Sequence, residues 1–182
     1  MAYTIDIAQS QLLTVLKAFL QSLTGLGNTE VVQGQSNRVP APKTANYIVF
    51  TPIGRYRQST NQVKYSSSTN ALLDQQGQKQ STRLDVQVDC YGPTSPEMAQ
   101  IISTEFRSTV GTDYFNDAGF DRAPLYTSEP RQLPFHDEGN QVQIRWSLDL
   151  SLEYDPTVTS TQQFADSLAV GIISVDAEYP PI

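Results

Sequence analysis

The sequence predicts an α+β protein built on an antiparallel β-sheet with two main helices. Three observations predict it. Apolar residues occupy every second position from Gln141 to Tyr154, the period of a strand with one buried face. Arg83 to Tyr91 repeats that alternation. Two further stretches, Ser10 to Leu23 and the segment after Ser95, carry apolar residues three and four apart, the stripe of an amphipathic helix. At 182 residues the chain fits a single domain, 1–182.

Within the first helix, Leu12, Leu13, Leu16, Phe19, Leu20 and Leu23 form the stripe. Ser10 or Asp6 is expected to cap it, and Gly25 and Gly27 to end it. Val31 and Val32 then enter QGQSNRVPAP, where Pro40 and Pro42 remove backbone donors and push Val39 and Ala41 toward extended geometry. That stretch reads as a stiff connector or an edge. Asn46 to Thr51 (NYIVFT) is a short buried strand closed by Pro52 and Gly54.

Arg55 to Thr82 is the most polar part of the chain and is expected to be a long polar arm or hairpin loop. Tyr56 and Val63 to Tyr65 suit one hairpin strand, while Ser66 to Asn70 and Gln75 to Ser81 read as long loops. Arg83 to Tyr91 follows as a half-buried strand, with Leu84, Val86, Val88 and Cys90 inward and Arg83, Asp85, Gln87 and Asp89 outward. Gly92 and Pro93 turn the chain. Ser95 is expected to cap the second helix, with Pro96 in its first turn and Glu97 matched to its dipole. Met98, Ile101, Ile102 and Phe106 line one side of it, and Gly111 is expected to stop it.

A loop carrying Phe115, Phe120 and Pro124 leads to a short strand, Leu125 to Ser128, broken by Pro130. The long strand comes next, with Val142, Ile144, Trp146, Leu148, Leu150, Leu152 and Tyr154 on its apolar face and Trp146 read as core. At roughly 3.3 Å per residue it spans about 45 Å, more than double the usual 17 to 20 Å. Such a strand either bends at a bulge or projects to meet another subunit, and projection is the expectation. Beyond Pro156, Gln162 to Leu168 reads as a short helix and Val170 to Val175 as a final strand.

Charged residues make up 17% of the chain, and 12 Lys and Arg stand against 19 Asp and Glu, a net charge of −7. Solubility therefore comes largely from neutral Ser, Thr, Gln and Asn, as in subunits that cover much of their surface with neighbours. Tight wrapping of nucleic acid requires clustered cations that the chain lacks overall. Cys90 is the only cysteine, which excludes an intrachain disulfide and a thiolate zinc cluster and suits folding in a reducing cytoplasm. Neither a signal peptide nor a membrane-spanning apolar run is recognisable.

Few residues suggest chemistry. His136, the only histidine, lies in PFHDEGN, where a general base oriented by a carboxylate would be the catalytic reading. A solvated turn accounts better for Asp137, Glu138 and Gly139. Asp85 and Asp89 lie roughly 13 Å apart along one strand, beyond the 5 to 9.5 Å of a glycosidase pair, and read as surface charges. Phosphate-binding and nucleophile-elbow motifs are absent. Arg55, Arg57 and Lys64, interleaved with Tyr56 and Tyr65, form the best nucleic-acid candidate, although a solvated hairpin explains them more simply.

In order, QSNRVPAPKTANYIVFTP, RLDVQVDCYGP and PLYTSEPRQLPFHDEGNQVQIRWSLDLSLEYDP resemble the phage neck terminator family, whose fold is similar to tail terminator proteins. The resemblance runs from Gln33 to Pro156. Its most specific pieces are Asn37-Arg38-Val39-Pro40, Asp89-Cys90-Tyr91-Gly92, Pro124-Leu125-Tyr126 and Gln141 with Arg145-Trp146. It implies helices on one face of an antiparallel sheet, a ring of six copies at the neck of the virion, and no enzymatic activity. Such a ring caps the tail tube, joins it to the head-side connector or collar protein, meets the sheath where one exists, and lets DNA pass without sequence-specific binding. No cofactor, metal or membrane is implied. Candidate contacts with another copy or a neighbour are Asn37, Arg38, Arg55, Arg57, Lys64, Tyr65, His136 and Glu153. A carbohydrate-binding, receptor-binding or minor tail subunit is the alternative, suggested by the Tyr- and Gln-rich surface.

Overall fold

The computed structural model describes residues 3–35, 42–68, 73–120, 122–136 and 142–162. In chain order the elements are β1 (Tyr3–Ile5), α1 (Gln9–Thr24), β2 (Val31–Gln33), β3 (Tyr47–Arg57), β4 (Gln62–Ser66), β5 (Gln75–Lys79) and β6 (Thr82–Tyr91). Then follow α2 (Ser95–Glu105), α3 (Thr109–Asp117), β7 (Tyr126–Thr127), β8 (Arg131–His136), β9 (Val142–Tyr154) and β10 (Thr157–Thr161). The protein is α+β, as its sequence predicts.

The predicted stripe of α1 buries Leu12, Leu13, Leu16, Phe19 and Leu20, with Leu23 half-buried at its end. Each fully buried side chain contributes about 2 kcal/mol of apolar transfer, which holds the helix against the sheet. Gly25 closes it, donating its N–H to the Gln21 carbonyl at 2.9 Å. Neither Ser10 nor Asp6 is the cap. Ala8 occupies that position, its N–H donating to the Gln11 side chain at 2.8 Å. Asp6 instead accepts from the N–H groups of Ile7 at 2.6 Å and Thr157 at 2.7 Å, tying β1 to β10.

Six strands form the main sheet in the order β2-β3-β6-β9-β7, with β8 also paired to β9. All neighbours are antiparallel except β2 and β3, which run parallel. Rows such as Phe50, Val88 and Leu148, or Pro52, Val86 and Leu150, lie level across the central strands. Their apolar face is continuous with α1, α2 and the buried Phe106 and Phe115 in one core. Phe19 meets Phe106, Tyr114 and Phe115 at ring-centroid distances of 5.2 to 6.3 Å.

Three expectations for this region are corrected. Strand β3 does not close at Pro52 and Gly54. A register shift lies between them, which lets the strand absorb the proline and continue to Arg57. Ser95 lies inside α2 with Thr94 as its cap position, and its buried hydroxyl donates to the Gly92 carbonyl at 2.7 Å. Gly111 sits inside a third helix rather than ending the second: α2 stops at Glu105, and Ser108 caps α3 by accepting from Val110 N–H at 3.1 Å. A Cβ on Gly111 would lie 2.5 Å from the Phe106 carbonyl oxygen, so the glycine permits a close helix junction. Phe115 is thereby helical and buried, not part of a loop.

A second sheet has the order β1-β10-β5-β4 and is antiparallel throughout. The chain enters it after β3, returns after β5, and enters it again after β9. Main-chain bonds brace these crossings, from Gln58 N–H to the Ser81 carbonyl and from Gln80 N–H to the Pro156 carbonyl, both at 3.0 Å. Gln75 to Ser81 is therefore no long loop: β5 is an interior strand, paired on both sides within its own chain. The expected helix from Gln162 and the strand from Val170 lie outside the described residues, apart from Gln162 itself, which is not helical.

Candidate functional site

The polar face of the main sheet carries the charged side chains that the alternation of β6 and β9 predicts. They are paired with one another. Arg145 meets Asp89 at 2.9 Å through Nη2 and at 3.1 Å through Nε, and Gln87 donates to the same carboxylate at 3.1 Å. Asp89 is only 6% exposed, so it is not the surface charge expected from its position. Asp85 accepts from Arg83 at 3.0 Å and from the Ser151 hydroxyl at 2.7 Å. A buried carboxylate needs such partners, because taking an uncompensated charge out of water costs several kcal/mol.

Beside this network Tyr47 and Tyr91 stack with centroids 4.6 Å apart, and the Arg145 guanidinium lies 5.7 Å from the Tyr91 ring. Burial raises the Tyr47 hydroxyl above its usual range. Tyr91 is pushed up to about 12, chiefly by burial, with Arg145 opposing and Asp89 adding. Burial, with Asp89 next to it, likewise pushes the Cys90 thiol up to about 12, so it stays protonated at neutral pH. Gly92 follows at φ +102, where a Cβ would overlap the Ala45 carbonyl oxygen. The Asp89-Cys90-Tyr91-Gly92 piece is thus one buried charge, one core thiol, one stacked ring and one obligate turn.

The long strand keeps an unbroken register with β6 over Arg145 to Tyr154 and with β8 over Val142 to Ser147. Its first three residues, 142–144, continue past the end of β6 and form ladder pairs with β8, while the Ile144 carbonyl also accepts from Gly92 N–H at 3.1 Å. The excess length is therefore a projecting β8–β9 hairpin and not a bulge. Val142 and Ile144 are exposed there, and Trp146 is only partly buried at the margin of the core. Strand β8 escaped the sequence reading because Pro134 interrupts its pattern; an edge position tolerates that proline.

The proposed contact residues do not form one patch. Arg55 and Arg57 lie exposed at the far end of β3, opposite Leu84 and Thr82, and Arg55 donates to the Tyr154 hydroxyl at 3.4 Å. Lys64 and Tyr65 belong to the other sheet, on its outer strand β4. Tyr56 faces the opposite side of β3 from the two arginines, and its ring is 4.8 Å from the Arg83 guanidinium. Glu153 accepts from Ser81 at 2.6 Å with Arg122 3.8 Å away. His136 ends β8 opposite Val142. Asn37 and Arg38 lie outside the described residues.

One cluster was not anticipated. Asp155 binds Lys79 at 3.0 Å and Arg122 at 3.1 Å beside a cleft of about 200 Å³ that also touches Asp6 and Phe120. It sits where β9 passes into β10, so its charges clamp one sheet to the other. Only the Asp-Pro pair marks the spot in sequence. Among the described residues no group of three or more His, Cys, Asp or Glu is placed to hold a metal ion.

A helix-backed sheet with internally paired charges, a projecting hairpin and a second sheet of exposed polar strands has the form of a structural subunit. The particular kind follows from comparison with known families. The chain belongs to the phage neck terminator protein family, which it matches over residues 10–178. It is accordingly a structural protein of the phage neck and a virion component. None of the curated proteins compared with the chain matches it.

Proposed function

We propose that this protein forms a ring, hexameric as the family resemblance implies, that ends the tail and joins it to the head-side connector while leaving a channel for DNA. The observation that carries this reading is the β8–β9 hairpin, which extends beyond the core and exposes Val142 and Ile144 at its edge. A heterologous contact of this kind closes into a ring when its rotation permits. The acidic chain favours passage of DNA over retention, since binding would require cations to neutralise phosphate.

The role is geometric rather than enzymatic. The carboxylates of the polar face are committed to Arg83, Arg131 and Arg145, and the Cys90 thiol is buried. Neighbours on the two rims of the ring are the connector or collar protein and the tail tube, with the sheath where the tail contracts. No helix among the described residues is long and apolar enough to cross a membrane. Imaging of phage particles made without this protein tests the reading. Separate heads and tails, or tails of abnormal length, are expected; normal joined particles would overturn it.

A further inference from the structure

We propose that copies of this chain join through the second sheet, β4 of one protomer pairing antiparallel with β1 of the next. This deepens the ring reading and rests on it for the side-by-side placement of copies. Among the described residues both strands are edges of that sheet, and every residue of each is exposed. Three antiparallel steps separate them, so β1 and β4 run in opposite directions. A neighbour rotated about an axis along the strands keeps its β1 in the same sense, and the junction is then antiparallel like every other pairing in the sheet.

The register is level as well. Ile5, Val158, Gln78 and Val63 form one row across the four strands, and Thr4, Thr159, Gly77 and Lys64 form the next. Gln80 N–H donates to the Pro156 carbonyl and Gln162 N–H to the Asp74 carbonyl, so even-numbered residues of β5 bond to β10. Odd-numbered ones bond to β4, which leaves the main-chain groups of Val63 directed at the open edge. On β1, Asp6 N–H donates to the Thr157 carbonyl, and the same alternation directs Ile5 outward.

Val63 and Ile5 of the partner subunit thus form a hydrogen-bonded pair, covering side chains that are 47% and 53% exposed in the single chain. Lys64 faces Thr4 of the partner subunit in the closer, non-hydrogen-bonded position. The competing symmetric arrangement, β4 on β4 centred on Lys64, sets Lys64 against a second Lys64, and like charges directly opposite are destabilising. Strand β1 carries no charge.

A Lys64→Cys/Thr4→Cys variant tests the pairing under mild oxidation. Within one chain these positions are three strand spacings apart, about 14 Å, beyond disulfide reach, so any bond is between copies. Cys90 is buried and stays out of exchange. Expected is a ladder of dimers and higher species on non-reducing gels, with neither single variant cross-linking alone and a mixture of the two giving dimers only. Val63→Pro, which removes an outward N–H without touching the β5 pairing, should abolish the ladder when added to the double variant. Cross-linking of Lys64→Cys alone would establish β4 on β4 and overturn the proposal. Wild-type association by native mass measurement, with no disulfide in the double variant, would overturn this junction and leave the ring reading standing. Absence of both, in solution and in joined particles, would overturn the two together.

Discussion

The two sheets are made by one chain but held by different forces. In the main sheet, β3, β6 and β9 bury a continuous apolar face under the helices, and Val86, Val88, Leu148 and Leu150 have no exposed surface. In the second sheet no residue of β1, β4, β5 or β10 is buried; main-chain ladders, Asp6 and the Asp155 cluster hold it. Apolar transfer stabilises the first, at about 25 cal/mol per Å², whereas the hydrogen bonds that dominate the second contribute only about 1 kcal/mol each in net terms. The first sheet therefore carries the stability of the fold, and the second is free to be shaped for contact.

Removing an aromatic ring from the core should have the largest effect. Phe19→Ala should lower the free energy of unfolding by about 3–5 kcal/mol, while Val63→Ala on β4 should change it by less than about 0.5 kcal/mol. Urea denaturation measures both, and equal effects would mean the second sheet shares the core's stability. Arg145→Ala should cost roughly 3 kcal/mol, because it strands the buried Asp89 carboxylate. A double variant with Asp89→Ala should recover part of the loss, and simple additivity in that cycle would show that the pair is not coupled.

Acid sharpens the contrast further. Burial alone would raise Asp6, but the N–H groups of Thr157 and Ile7 outweigh it and hold its pKa below the usual 3.8. With a depressed folded value, its contribution is present above the usual pKa and is lost as pH falls through the folded one. Hydrogen exchange should therefore show β1 and β10 losing protection in that acid range before β6 and β9 do. Asp6→Asn should remove the step, and an unchanged profile would assign it elsewhere. Among the charge substitutions the smallest effect belongs to Arg131→Ala, whose exposed pair with Asp149 at 3.1 Å should be worth at most about 1 kcal/mol; a larger loss by denaturation would give the outer strand β8 a stabilising role.

Legibility in the sequence divides along the same line. The residues of α1, β6 and β9 declared themselves because burial on one face imposes a period, and Gly25 and Pro96 mark helix ends by their own backbone preferences. Nothing local marks Gln75–Lys79 as a strand: QQGQK has no apolar alternation, and it is extended because β4 and β10 offer ladders on both sides. Helix α3 was hidden by Gly111, whose lack of a Cβ serves a close junction rather than a stop. The partner of Asp89 could not be read either, since Arg145 lies 56 positions away.

The core was legible in the sequence alone: which faces of α1, β6 and β9 are apolar, that the fold is α+β, and that the chain turns at Gly92 and Pro93. Those properties follow from side-chain polarity and backbone sterics over a few neighbouring residues. Only the tertiary structure decided that the chain crosses into a second sheet, that Asp85 and Asp89 are paired rather than solvated, and that the long strand projects with β8. These depend on main-chain groups and charges far apart in sequence, where any polar strand matches any other until the packed core sets their positions.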